Sequence, residues 1–338
     1  MRAFVTGSTG LLGSNLVHTL IAEGHTVRAL ARTPEKAQRV LPTSDRLEVV
    51  KGDLEDISAF SSALEGVDVL FNTAAYFSEY FRRGGDEWQP LQRINIDATL
   101  ALFRAARDRG VSRIIHTSSS GTIGRPAQGN MADETTPPDA LSHENLYFRS
   151  KVLGDQAIAA LVRDEGIPVV TIKPALILGP RDTGPTGFGG FLVDMLAGKV
   201  PAVPEGRVTV VDARDVAAGM IRAVERGRVG EQYLIGNCYV TLAQVARILT
   251  DFIGRRPYMT MPHAVGMTVG FFSEMAANLT GGEPMVTRRA LRAFQYDFRT
   301  STAKAERELG VTYRPLEETL HDQARWFIEN GYVPARTA

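Results

Sequence analysis

Through the first half of the chain, short apolar runs alternate with segments whose apolar residues recur at helical spacing. RAFVTG is a short buried run closed by glycine. GLLGSNLVHTLIAEG follows with helical periodicity and a stop at Gly24. HTVRALAR, LEVVKGD, VDVLFNTAA and VSRIIHTSSS read as four further strands, and IPVVTIKPALILG as a sixth. Helical stretches separate most of them, among them IDATLALFRAARDRG and YFRSKVLGDQAIAALVRDEG. This alternation predicts an α/β fold, a doubly wound parallel sheet with helices on both faces. Ligands of such sheets bind beyond the carboxyl ends of the strands. After Gly179 the texture changes. PRDTGPTGFGG reads as a loop, and the later segments are less regular. The pattern predicts one domain over residues 1–180 with a return around 207–237, and a smaller lobe from 181–206 and 238–338.

Composition narrows the function. The chain has 338 residues, 44% hydrophobic and 22% charged, with 38 basic and 38 acidic side chains. It shows no basic block or stripe, which argues against a nucleic-acid surface. Cys238 is the one cysteine. An intrachain disulfide and a multi-thiolate metal site are thereby excluded, and a reducing compartment fits. The six histidines have no metal-ligand spacing, so no metal site is expected. The first apolar stretch is too short for a signal peptide, and no run reaches the ~18 apolar residues of a membrane span. The expectation is a cytoplasmic chain without stable membrane insertion.

The turn VTGSTGLLGSNL places Gly7, Gly10 and Gly13 between the first strand and the first helix. In that context Gly7 makes a tight turn, Gly10 admits a pyrophosphate and Gly13 lets helix pack on strand. Thr9, Leu11 and Leu12 belong to the same phosphate-binding turn. The helix start supplies free N–H groups and a positive dipole end. The second strand ends without the acid that reads a free ribose 2′-hydroxyl; Arg32 stands there, with Lys36 beyond. Donors at that place suit a 2′-phosphate, so NADP(H) is preferred over NAD(H), which stays possible. Arg32 also reads as a solvated surface residue. Asp53 is placed to accept from an adenine amino group with Leu54 against the ring, or to act as a loop acid. Small Ala74 and Ala75 let a cofactor lie close to backbone.

Tyr147 and Lys151 are four positions apart in a helical pattern and share one face. A free tyrosine is a poor base at neutral pH, and a neighbouring ammonium favours its phenolate. Such a pair exchanges a proton with an alcohol or carbonyl oxygen. The TSSSG run adds hydroxyls able to donate to that oxygen as charge develops.

With TGSTGLLG, NTAA, RINIDAT, HTSSSGTIG, YFRSK and KPALILGP in this order, the chain resembles an extended short-chain dehydrogenase/reductase, of the NAD(P)-dependent epimerase/dehydratase superfamily. The resemblance implies a Rossmann-type domain and a smaller C-terminal substrate-binding lobe. It implies Tyr147 as acid/base and Lys151 as its partner on the cofactor ribose. Ser119 matches the serine, with Ser118 second. Asn95, Thr117 and Pro174 join the cofactor's surroundings. A homodimer built on the Tyr-Lys helix and the helix before it is also implied.

Two branches compete. VRALAR and HTSSSGTIG resemble the reductases similar to dihydroflavonol 4-reductase and hydroxysteroid dehydrogenases. The nucleotide-sugar epimerases and dehydratases are the alternative; Arg207 fits them, but their aromatic signature is missing. The expectation is an NADPH-dependent carbonyl reductase acting on a small-molecule carbonyl or alcohol. A non-catalytic NADP-binding sensor is a third reading, opposed by the presence of both Tyr147 and Lys151. Tyr76, Phe77, Tyr80, Phe81 and Trp88 either stack on a substrate, with Arg82 and Arg83 for an anion, or belong to a surface loop with buried anchors. Met261, Met267, Phe271, Phe272 and Met275 form either a pocket wall or, as preferred, a core helix.

Overall fold

The computed structural model describes residues 1–77, 87–125, 130–280, 288–293 and 299–333. The first half runs β1 (Arg2–Thr6), α1 (Leu11–Ala22), β2 (Thr26–Ala31), α2 (Pro34–Val40), β3 (Leu47–Lys51), β4 (Val69–Asn72), α3 (Trp88–Gln92), α4 (Thr99–Asp108), β5 (Arg113–Thr117), α5 (Ala140–Glu144), α6 (Leu146–Glu165) and β6 (Val169–Pro174). The second runs β7 (Leu176–Leu178), α7 (Gly187–Ala197), β8 (Val203–Pro204), β9 (Arg207–Asp212), α8 (Ala213–Arg226), β10 (Gln232–Ile235), β11 (Cys238–Thr241), α9 (Leu242–Phe252), β12 (Thr260–Met261), α10 (His263–Thr280), α11 (Arg288–Ala293), α12 (Ala303–Leu309) and α13 (Leu316–Glu329).

Seven strands form one parallel sheet in the order β10-β6-β5-β4-β1-β2-β3. Its strand order reverses between β1 and β4, the kind of point beyond whose carboxyl ends such sheets bind ligands. Side chains alternate across the sheet, as the two-residue period requires. Ala3, Val5, Ile115 and Ile172 face one core with Leu16 and Leu20 of α1 and Val216 and Met220 of α8. Phe4, Leu70, Ile114 and Val169 face the other, with Leu102 and Phe103 of α4 and Ile158 and Leu161 of α6. The fold is therefore a Rossmann-type α/β sandwich with helices on both faces.

The run expected as one sixth strand is two. β6 ends at Pro174 in the large sheet, and β7 joins β9 and β11 in a second sheet. Proline lacks the N–H a sheet ladder needs, which places the break. Of the stretch 207–237, β10 pairs with β6, and β9 belongs to the second sheet. The expected loop PRDTGPTGFGG turns helical at Gly187, because Thr186 Oγ1 accepts from Gly189 N at 3.1 Å and caps α7. A third core gathers Leu192 and Leu196 of α7, Val245 and Leu249 of α9, and Leu320 and Phe327 of α13.

The preferred reading of the methionine- and phenylalanine-rich stretch as a core helix is corrected. It forms α10, but Val265, Val269, Phe271, Phe272 and Met275 are exposed. Among the described residues α10 packs on α11, through Leu291 against Gly266 and Gly270, so one side only is covered.

Candidate active site

Glycine shapes the turn after β1. Gly7 has a φ of 65°, a left-handed conformation that other residues rarely adopt. A Cβ there would stand 2.7 Å from Ala74 N, so the turn lies directly on the end of β4. A Cβ on Gly13 would overlap the Gly7 carbonyl. Ser8 Oγ donates to Leu30 O at 2.8 Å and Thr73 Oγ1 to Thr6 O at 2.7 Å, which ties the turn to β2 and β4. Gly10 caps α1 and is exposed; a Cβ there would meet Gly7 O at 3.4 Å. α1 has no acid in its first turn. The result is an open cradle of N–H groups at a helix start, which fits a pyrophosphate. Leu11 and Leu12 are buried under it, and the Thr9 carbonyl accepts from Thr183 Oγ1 at 3.1 Å.

Arg32 follows β2 directly, with its side chain 78% exposed and Nη1 3.9 Å from Asp53 Oδ2. Asp53 Oδ1 accepts from Glu55 N at 3.1 Å. Lys36 turns toward the loop after β7, its Nζ 3.9 Å from where a Cβ on Gly184 would stand. Leu54 is buried with Leu30 and Phe60. Ala74 is half-buried and Ala75 exposed beside the cradle.

Asn145 starts the long helix α6, its Oδ1 accepting from Tyr147 N at 3.0 Å and Phe148 N at 3.2 Å. Tyr147 is half-buried, and the Phe77 ring meets it edge-on at 4.7 Å. Lys151 is only 4% exposed. Its Nζ donates to Thr117 O at 3.0 Å and lies 5.9 Å from the Tyr147 ring centroid. Burial pushes the Lys151 pKa down to about 8, against the attraction of Asp155. Lys173 Nζ lies 2.9 Å from Asp155 Oδ2, and both side chains are buried.

The serine turn seats against the same helix. A Cβ on Gly121 would overlap the Phe148 ring, so only glycine lets the turn come this close to α6. Ser119 is half-buried, and its Oγ accepts from Gly121 N at 3.1 Å. Ser118 is buried, and its Oγ has no hydrogen-bond partner among the described residues. Asn95 lies in a π-helical turn between α3 and α4, a feature frequent at functional sites. Its Oδ1 accepts from Tyr76 N at 2.7 Å, and its Nδ2 donates to Tyr76 O at 2.9 Å and Ser150 Oγ at 3.0 Å. The amide thus clamps the loop after β4 to α6. Thr117 Oγ1 meets Met220 Sδ at 3.8 Å, and Pro174 is buried at the end of β6.

His116 is packed rather than poised for chemistry. It is fully buried against Phe103, with Nδ1 3.2 Å from Asn72 Nδ2. Burial, Lys151 and Lys173 hold its pKa well below the ordinary range, so it is neutral.

The model of the NAD dependent epimerase/dehydratase family matches residues 3–236. The chain belongs to this family. It is an NAD(P)-dependent oxidoreductase of the extended short-chain dehydrogenase/reductase type. Sterol demethylase protein B of Methylococcus capsulatus is 31% identical, over 98% of this chain and 100% of that protein. A putative dihydroflavonol 4-reductase of Synechocystis sp. is 29% identical, over 98% and 95%. Among solved structures, a nucleoside-diphosphate-sugar epimerase from Pseudomonas aeruginosa has a TM-score of 0.77 at 26% identity, over 98% of this chain and 99% of that one. A nicotinamide dinucleotide is the cofactor of the family, and the glycine cradle fits its pyrophosphate.

Within this family member the glycine turn lies against Ala74, and the serine turn lies against α6, which carries Tyr147 and Lys151. Arg32 and Asp53 meet at the far end of β2 and β3, whereas Lys36, expected beside Arg32, turns toward the loop after β7. Tyr80, Phe81, Arg82 and Arg83 lie outside the described residues. Sequence reasoning missed the Asp155–Lys173 pair. Half of the signal was visible, since Asp155 stands one turn beyond Lys151. Lys173 comes from β6 and has no local mark.

Proposed function

We propose that the chain is an NADPH-dependent carbonyl reductase or alcohol dehydrogenase, with Tyr147 as acid/base, Lys151 as its cationic partner and Ser119 as donor to the substrate oxygen. A nicotinamide dinucleotide held at the glycine cradle would supply the hydride chemistry. Tyr147 exchanges a proton with the oxygen. Lys151, held by Thr117 O, keeps positive charge near the phenol and lies where a ribose hydroxyl can meet it. Ser119 is preferred to Ser118 because Ser118 is buried. The reading divides the chain into a cofactor-binding part, 1–180 with a return around 207–237, and a substrate-binding lobe, 181–206 and 238–338. It also takes the enzyme as a cytoplasmic homodimer through α4 and α6.

Arg32 carries the choice of NADP(H). An exposed guanidinium at the end of β2 attracts a 2′-phosphate, where an acid would repel it. The names of reductases among the relatives support the reductase branch. The test is a pair of titrations, NADPH and NADH, on cofactor-stripped protein and on Arg32→Ala. NADPH should bind more tightly and lose about 1–2 kcal/mol, roughly tenfold, in the variant. Equal binding of both cofactors, unchanged by Arg32→Ala, contradicts the reading. A second reading, a sugar-nucleotide epimerase or dehydratase with retained NAD, is favoured by the epimerase structure. Tightly held NAD, identified by mass, would select it.

A further inference from the structure

Lys151 has a counter-charge one helical turn further along α6. We propose that Asp155 keeps the buried Lys151 ammonium charged and that Lys173 limits how strongly it does so, which makes Asp155 and Lys173 positioning residues for the Tyr147–Lys151 pair. This rests on the reading of that pair as the proton-transfer device.

The geometry is unusual for an ion pair. Lys173 and Asp155 have side chains 6% and 9% exposed, and Nζ stands 2.9 Å from Oδ2. Neither Asp155 oxygen accepts a directed hydrogen bond among the described residues. Buried carboxylates are ordinarily satisfied by such bonds. Here neighbouring charge compensates Asp155 instead. Lys151 and Asp155 are four residues apart in one helix and share a face. Among the described residues, Tyr147 and Asp155 on α6 and His116 on β5 interact with Lys151, and Lys173 on β6 pairs with Asp155. His116 is neutral and adds no charge. One carboxylate thus pairs with the Lys173 ammonium and acts at longer range on that of Lys151.

Stability alone does not explain such an arrangement. A buried ion pair is often no more stabilising than apolar residues of the same volume. Its field on Lys151 is what an apolar pair would not supply. Without the Asp155 charge, Lys151 loses its proton at lower pH. Without the Lys173 charge, Asp155 acts on Lys151 unpaired, and the ammonium survives to higher pH.

The experiment follows NADPH affinity from pH 6 to 10 on the wild type, Asp155→Asn and Lys173→Met, with kcat/KM alongside. Asp155→Glu and Lys173→Arg serve as charge-keeping controls, and melting by circular dichroism reports folding. The alkaline limb of NADPH binding should move down by about one pH unit in Asp155→Asn, tenfold in the protonated ratio. It should move up in Lys173→Met and stay in place in both controls. Where Lys173→Met does not fold, Asp155→Asn against Asp155→Glu decides. A limb that stays put in Asp155→Asn, moves the same way in both charge-removing variants, or does not exist in the wild type overturns the proposal. Binding is read without substrate, so a failure of the reductase reading would appear separately, as missing turnover with the binding limb still shifted.

Discussion

Single residues set the chemistry of this site through where burial leaves their charge. Lys151 is buried deeply enough to lose half its protonation near pH 8. Asp182 is displaced in the other direction. It is buried in the loop after β7, and burial pushes its pKa from 3.8 up to about 6, against hydrogen bonds from Thr186 N and Oγ1 at 3.0 Å and the charge of Lys36. Its folded pKa lies above its unfolded value, so the folded state holds the proton more tightly. That contribution to stability is complete below about pH 4 and is lost as pH rises through about 6. A rise of this size corresponds to about 3 kcal/mol at most. Urea unfolding of the wild type and Asp182→Asn at pH 4, 5, 6 and 7 checks this. The wild type should lose stability relative to the variant as pH rises across that window. A constant difference between the two would contradict it.

Elements bring these residues into reach. The β1–α1 turn lies on β4 because Gly7 and Gly13 carry no Cβ, and the serine turn lies on α6 because Gly121 carries none. The π-helical turn before α4 gives Asn95 to the loop that carries Phe77, and Phe77 to Tyr147. α4 and α6 also present a partly open stripe of small and apolar residues, including Ala101, Leu153, Ala157 and Ala160, beside the bidentate Arg104–Glu165 pair. A second copy of the chain would cover this stripe in the proposed dimer. Sedimentation equilibrium should give twice 36.8 kDa, and Ala157→Arg should shift the mass toward one chain by placing a charge in the interface. A single-chain mass for the wild type would contradict the dimer.

At the scale of the molecule, much of the frame was legible and some of the site was not. β1, β2, β4 and β5 stand out because a parallel strand buried on both faces is a short apolar run, and the glycines mark the first turn; the half-open edge strand β3 is carried by its Leu47, Val49 and Val50. Pro174 hid the division between β6 and β7, since the apolar run continues across it. α10 misled for a related reason: apolar composition promised burial, and only the fold shows that one side of the helix is open. Asn95 and the Asp155–Lys173 pair depend on partners from other elements, and periodicity holds no trace of such contacts. Tyr147 and Lys151 were legible because their spacing is local to one helix. Their catalytic role is the central claim, and Tyr147→Phe tests it most directly by keeping the ring and removing the proton carrier. Turnover of a carbonyl substrate with NADPH should fall by roughly 100-fold or more, the scale of positioned acid–base catalysis, with NADPH affinity unchanged. Near-normal turnover in Tyr147→Phe would contradict the account.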